Sequence, residues 1–264
     1  MSTVPPRKPR VAVVFGGRSS EHAVSCSSAA SVLRAIDRDV YDVLPIGITK
    51  DGRWVLAADD PAALELAPGH IPEVDGSGAG VLVPLSTTDR ALQVLTPGEV
   101  PVVLGDVDVV FPVLHGPWGE DGTIQGMFEM LGVRYVGAGV AASAIGMDKD
   151  LMKRSMDSAG LPVGPWVAIS PLMWQSDRTG CAEAVAELGF PVFVKPARGG
   201  SSLGISRVDG PDTLAAAVAE AQRYDPKVIV ERGFVGCREI EVAVLEGVAG
   251  RAPRVSLPGE IIMH

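Results

Sequence analysis

Apolar residues recur along this chain in two rhythms, and the balance between them shifts near the middle. VAVVFGG (11–17) is a short continuous apolar run ending in two glycines, as a buried parallel strand does where it enters a ligand-facing loop. EHAVSCSSAASVLRAI follows, with Val32, Leu33 and Ile36 at helical spacing. DVLPIGIT (42–49) and VDVVFPVL (107–114) predict further strands, TIQGMFEMLG a helix and VRYVG a strand. GAGVAASAIGMDKDLMKRSMDSAG reads as mostly helix, stopped by Gly160 and Pro162. Residues 51–100 are mixed and suggest only a hairpin-like or loop insertion. Strand and helix alternate, which predicts a parallel α/β sheet.

After about residue 140 the pattern changes. CAEAVAELG predicts a helix, FPVFVKPA a strand, GGSSLG a loop and ISRV the returning strand. LAAAVAEAQRY is helical and KVIVERGF a strand. REIEVAVLEG alternates charged and apolar residues, as a half-exposed strand should. Hairpins with helices predict an antiparallel α+β unit. EIIMH, at the end, reads as mid-strand or just past it.

Composition narrows the classes of function. Hydrophobic residues make up 47% of the 264 and charged residues 21%, enough for a sizeable core and too apolar for disorder. The net charge of -9 argues against neutralising nucleic-acid phosphates. No apolar stretch is long enough to cross a bilayer. MSTVPPRKPR reads as a loose tail, not a signal peptide. Cys26, Cys181 and Cys237 are far apart and form no CxxC pair, which predicts a reducing, cytoplasmic setting. Asparagine is absent, and lysine is confined to positions 8, 50, 149, 153, 195 and 227.

Four short motifs sit at strand ends. In VKPARGGSSLG, Lys195 ends an apolar strand and precedes Arg198–Gly204. Glycines can turn successive N–H groups toward one anion, with Ser201 and Ser202 adding hydroxyls. The spacing is not GxxxxGK[ST], so this is no P-loop, and a hairpin turn with a snorkelling lysine fits equally well. GAGVAA (137–142) matches GxGxxA, but the acid expected about 20 residues on would be Asp157, inside a helix. Close packing of a helix on a sheet by small residues is the favoured reading, and Lys149 in the following MDK is alone an ordinary surface lysine. GGRSSEH (16–22) places Glu21 and His22 at a helix start, where a carboxylate can serve the helix dipole or a cationic ligand. HGPWGEDG puts His115 at the carboxyl end of its strand, with Glu120 and Asp121 before a helix they could cap.

Together these residues resemble the D-alanine–D-alanine ligases, ATP-grasp enzymes of peptidoglycan synthesis. HGPWGEDGTIQG reproduces that family's signature HGxxGEDGxxQG, and FGGRSSEHAVS, YVGAGVAASAIGMDK, FVKPARGGSSLG and VIVERGF stand in the family's order. The resemblance implies a parallel α/β pre-ATP-grasp domain over residues 1–140. It implies a central ATP-grasp subdomain with a Gly-rich lid over 141–231, and the start of the C-terminal subdomain over 232–264.

It also implies roles for individual residues. Lys149 and Lys195 would hold ATP phosphates, with Gly200, Ser201, Ser202 and Gly204 folding over them. Glu231 and the backbone near Phe234 would take the adenine and Glu239 the ribose, although Gly236–Cys237 lengthens that loop by one residue. Glu21, aided by Ser201, would bind the ammonium of the first D-alanine, and His115 would lie near its carboxylate. The implied setting is a cytoplasmic homodimer using ATP, Mg²⁺ and D-alanine, without nucleic acid or membrane. Family members continue past this point to Asp, Glu and Asn ligands for Mg²⁺, so no metal ligand is expected here and the chain as given is expected to be inactive. Alternatives are a D-alanine–D-lactate ligase, a non-catalytic nucleotide-binding fragment and, from GAGVAA, a dehydrogenase.

Overall fold

The computed structural model describes residues 7–83, 87–88, 91–96, 98–200 and 202–262. The first sheet is built from β1 (Arg10–Gly16), β2 (Asp42–Ile48), β3 (Trp54–Leu56), β4 (Gly80–Leu82), β5 (Ala91–Leu95), β6 (Val102–Asp106) and β7 (Val109–Pro112). Its strand order is β6-β5-β4-β3-β2-β1-β7. The expected parallel arrangement holds for β2, β1 and β7 only. Helix α1 (His22–Ala35) supplies the crossover that a parallel β1–β2 pair needs. Residues 51–100, expected as a hairpin-like or loop insertion, add the antiparallel strands β3, β4 and β5 to the sheet. The N-terminal tail is tied down from residue 7: Arg7 makes a two-pronged bond to Asp108 and Lys8 donates to the Arg38 carbonyl. Residues 1–6 of that expected loose tail lie outside the described residues.

Both faces of this sheet are covered. Val11, Val13 and Phe15 point to one side, against Cys26, Ala29 and Leu33 of α1. Ala12 and Val14 point to the other, against Ile124 and Phe128 of α2 (Thr123–Met130). This is the period-2 alternation of a strand read directly from VAVVF. The strand expected over 107–114 is shorter, β7 over Val109–Pro112, with Val107 and Asp108 connecting it to β6. VRYVG reaches the sheet only through a single bridge from Tyr135 to Val110.

The long helix expected after Gly137 is two helices, α3 (Val140–Met147) and α4 (Lys149–Ser158). Asp148 divides them. Its backbone is extended and its side chain accepts from the N–H groups of Asp150 and Leu151, an N-cap. The close approach at GAGVAA is to another turn rather than to a sheet: a Cβ on Gly122 would stand 2.8 Å from the Val140 carbonyl oxygen.

The second sheet follows, with β8 (Trp166–Ile169), α5 (Pro171–Ser176), α6 (Arg178–Leu188), β9 (Val192–Pro196), β10 (Ser206–Val208), α7 (Leu214–Ala221) and β11 (Val228–Arg232). The order β10-β9-β11-β8 is antiparallel throughout. Val192, Val194, Val228 and Val230 pack against Val185 of α6 and Leu214 and Val218 of α7. Alternation then turns Phe193, Lys195, Ile229 and Glu231 to the opposite face. REIEVAVLEG is not one half-buried strand but two exposed ones, β12 (Glu239–Glu241) and β13 (Val244–Leu245). They pair with β15 (Gly259–Ile261) and β14 (Arg254–Val255) respectively.

Candidate active site

Strands β1 and β7 are parallel neighbours, so the loops leaving their carboxyl ends emerge side by side. The first carries Glu21, which immediately precedes α1. The second carries His115. One buried side chain of α1 joins these strand ends, and a second ties the first loop to the segment before β4. Ser25 Oγ accepts from the Gly16 N–H at 2.8 Å and donates to the Val113 carbonyl at 2.6 Å. His22, 2% exposed, accepts from the Val74 N–H through Nε2 at 3.0 Å, so its proton resides on Nδ1 and goes to the Gly17 carbonyl at 2.6 Å. His22 therefore serves the framework, while the carboxylate of Glu21 beside it lies near Gly116 and Gly200.

His115 Nε2 lies 2.9 Å from Ser28 Oγ of α1 and its Nδ1 4.0 Å from Glu120 Oε1. Glu120 accepts from the Gly116 N–H at 2.7 Å, and Asp121 accepts from the N–H groups of Trp118 and Thr123. These carboxylates hold the turn in shape. Trp118 needs that help, because its φ of 67° is in the left-handed region that bulky residues avoid. The Arg18 guanidinium sits 4.7 Å from the centre of the Trp118 ring, linking the two loops again.

Glycines mark where the glycine loop meets this pair. A Cβ on Gly116 would stand 2.5 Å from Glu21 Oε2 and 2.7 Å from Ser19 Oγ; one on Gly200 would stand 3.2 Å from the same Glu21 oxygen. The Glu21 carboxylate thus lies between the His115 turn and the loop after β9. A cleft of about 630 Å³ opens there, lined by His115, Glu120, Gln125, Lys149, Gly199 and Gly200.

Lysines stand beyond the loop. Lys149 Nζ donates to the Gly199 carbonyl at 2.6 Å, and among the described residues no carboxylate pairs with it. Burial lowers its pKa, and nearby Lys195 lowers it further. Such a cation gains from an anionic ligand. Lys195, across the sheet on β9, is ion-paired with Glu231 of β11. Glu231 also meets Lys153 Nζ at 3.0 Å, and its side chain is 15% exposed. Burial alone would raise its pKa; bonds from Lys195 and Lys153 outweigh that and hold it below the usual carboxylate range. Lys153 further donates to the Gly164 carbonyl and lies 5.5 Å from the centre of the Trp166 ring.

Lys153 was not singled out from the sequence, although it lies one helical turn from Lys149, at i+4, which puts both on one face of α4. Phe234 is exposed, with its ring close to Gly164. Glu239 is exposed on β12, and among the described residues no hydrogen bond or ion pair joins it to Lys149, Lys195 or Glu231. Ser202 has φ 58°, and Gly204 φ 69°. Ser201 lies outside the described residues. Among the described residues no group of three or more His, Cys, Asp or Glu side chains is placed to hold a metal ion, and no helix is long and apolar enough to cross a membrane.

Residues 10–138 match the family model described as the D-ala D-ala ligase N-terminus, and residues 155–264 match that of the D-ala D-ala ligase C-terminus. The chain belongs to the D-alanine–D-alanine ligase family. It is 58% identical over 99% of its length to the D-alanine–D-alanine ligase of Kineococcus radiotolerans and 60% identical over 96% to that of Pseudarthrobacter chlorophenolicus. It covers 69% and 66% of those proteins, so it spans about two thirds of their length. The D-alanine–D-alanine ligase structure from Coxiella burnetii superposes with a TM-score of 0.81 at 36% identity, over 97% of this chain and 71% of that one. The VanG D-Ala:D-Ser ligase from Enterococcus faecalis gives the same score at 33% identity, over 96% and 70%. The α/β and α+β units are thus those of an ATP-grasp ligase. A dehydrogenase reading of GAGVAA has no place in this family.

Proposed function

We propose that the full-length protein joins two D-alanine molecules, using ATP, to make D-alanyl-D-alanine for peptidoglycan. The observation that carries this is the position of Glu21 between Gly116 and Gly200. A carboxylate suited to an amino acid's ammonium lies against Gly200, which lines the same cleft as Lys149, a lysine with no carboxylate partner among the described residues.

Glu21 binds the ammonium of the first D-alanine, with Ser201 assisting, and His115 lies toward its carboxylate. A carboxylate is a poor acyl donor, and ATP activates it by phosphoryl transfer. The amine of the second D-alanine then attacks the activated carbonyl. In such chemistry the protein chiefly positions groups and neutralises charge. Lys149, Lys195 and the N–H groups of the glycine loop, with Gly200, Ser202 and Gly204, do this for the phosphates. Glu231 and the backbone near Phe234 receive the purine. Lys195 can turn from Glu231 toward an anion because Lys153 remains to neutralise that carboxylate. The assignment of Glu239 to the ribose rests on family resemblance alone. Mg²⁺ would supply further charge neutralisation, although the described residues hold no cluster of His, Cys, Asp or Glu side chains to bind it. The resemblance further supports a cytoplasmic homodimer.

The test is D-alanine-dependent ADP release by the full-length protein, with the dipeptide identified by mass. ADP release without dipeptide, or no release at all, refutes the proposal.

A further inference from the structure

The carboxylate of Asp225 is 3% exposed, yet it accepts from several donors on two separate segments. Arg198 gives its backbone N–H at 2.7 Å, Nε at 2.9 Å and Nη2 at 2.7 Å, and the Lys227 N–H adds a bond at 3.0 Å. Arg198 is the residue through which β9 passes into the glycine loop. The other end of that loop meets the neighbouring residue. A Cβ on Gly204 would stand 2.5 Å from the Tyr224 ring and 3.0 Å from Pro196 Cγ. Tyr224 and Asp225, just past α7, therefore hold both ends of one loop.

The same place secures the lysines. The Lys149 N–H donates to the Ala197 carbonyl at 2.9 Å, and the Ala197 N–H donates to the Lys227 carbonyl at 2.9 Å. Lys227 Nζ in turn binds Asp148, the cap of α4, at 2.6 Å. A shift of Arg198 would thus be felt at Lys149 through backbone bonds as well as at the first glycines of the loop. Any buried carboxylate needs such bonds, but here most of them come from the residue at which the glycine loop begins. Charge-assisted bonds to a backbone N–H and a planar guanidinium fix direction as well as distance.

We propose that Asp225, with Tyr224, is a positioning element for the nucleotide. It fixes the two ends of the glycine loop and so sets the spacing of Lys149, Lys195 and the loop N–H groups that receive the phosphates. Neither residue touches the ligand. The inference rests on the nucleotide reading of this site.

Arg198→Met removes the guanidinium donors at a half-exposed side chain, and Tyr224→Ala frees the far end, so both variants should fold. In the full-length protein each is expected to raise KM for ATP about tenfold. KM for D-alanine should stay within about twofold of wild type, a split that general loosening of the fold would not give. Arg198→Lys, which keeps one charged donor, should recover part of the loss. Asp225→Asn should match Arg198→Met if it folds. Folded Arg198→Met and Tyr224→Ala proteins with unaltered KM for ATP overturn the proposal, as does a parallel rise in KM for D-alanine. An ADP titration of the wild type separates the two ideas: wild type that binds no ADP overturns the nucleotide reading as well, whereas normal binding with unaltered variants overturns only the positioning role.

Discussion

Lys153 Nζ lies 3.0 Å from Glu231 Oε1, on the carboxylate that also binds Lys195. Glu231 thus has one lysine from the helix and one from the sheet. The helix lysine also reaches the Gly164 carbonyl and the face of Trp166, so it is held by more than the ion pair. The sheet lysine has the centre of the Phe193 ring 5.9 Å away but no carbonyl partner among the described residues, and is the one freer to exchange its partner for a ligand.

Lys195→Ala should therefore weaken ATP binding by about tenfold or more, the worth of a charge-assisted bond. Loss of stability should be small, because Lys153 still neutralises Glu231. Calorimetric titration with a non-hydrolysable ATP analogue checks this, and unchanged affinity would remove Lys195 from the phosphate site.

Gly116→Ala places a methyl group 2.5 Å from Glu21 Oε2, in a backbone conformation of φ +73°. The Glu21 carboxylate must move. KM for the first D-alanine is expected to rise about tenfold while ATP affinity stays within about twofold. Steady-state kinetics at fixed saturating ATP decide it; a fall in ATP affinity alone would contradict the assignment of Glu21.

His22→Ala leaves the Gly17 carbonyl and the Val74 N–H without their imidazole partner in the interior. The cost should be about 3 kcal/mol, from two unsatisfied buried groups. The urea midpoint should fall accordingly, with little change in the urea slope. A midpoint equal to wild type would show that the Gly17 loop and the Val74 segment are held together some other way.

Acid should weaken the fold partly through Asp225. Burial would raise its pKa, but bonds from Arg198 and Lys227 outweigh burial and hold it below the usual carboxylate value. The folded pKa is thus the lower one, so the stabilising contribution is present above about pH 4, the unfolded value, and fades as pH falls through the folded one. Asp225→Asn should flatten the acid limb of a stability-against-pH curve. An unaltered acid limb would contradict this.

What the sequence disclosed depended on whether a signal was local. VAVVF alternates visibly and its two faces meet two different helices. FVKPARGGSSLG and HGPWGEDG announce loops at strand ends, and the structure brings Gly200 and Gly116 against the same carboxylate. Within 51–100 only a hairpin-like or loop insertion was legible, because strands of three to five residues are too short to establish a period. REIEVAVLEG alternates well, yet both faces of its two strands are exposed; alternation reports pleat, not burial. His22 and Glu21 look equivalent in GGRSSEH, and only the partners of His22 across 52 residues of chain separate framework from cleft. The Asp225 cluster joins three segments remote in sequence and had no local signature at all.

Arg18 and Trp118 meet ring to guanidinium, one on each of the turns that follow β1 and β7. Replacing the other tryptophans with phenylalanine would leave an intrinsic fluorophore whose emission senses the distance between those turns. Substrate arrival could then be followed by light, with no label attached and before any bond is made.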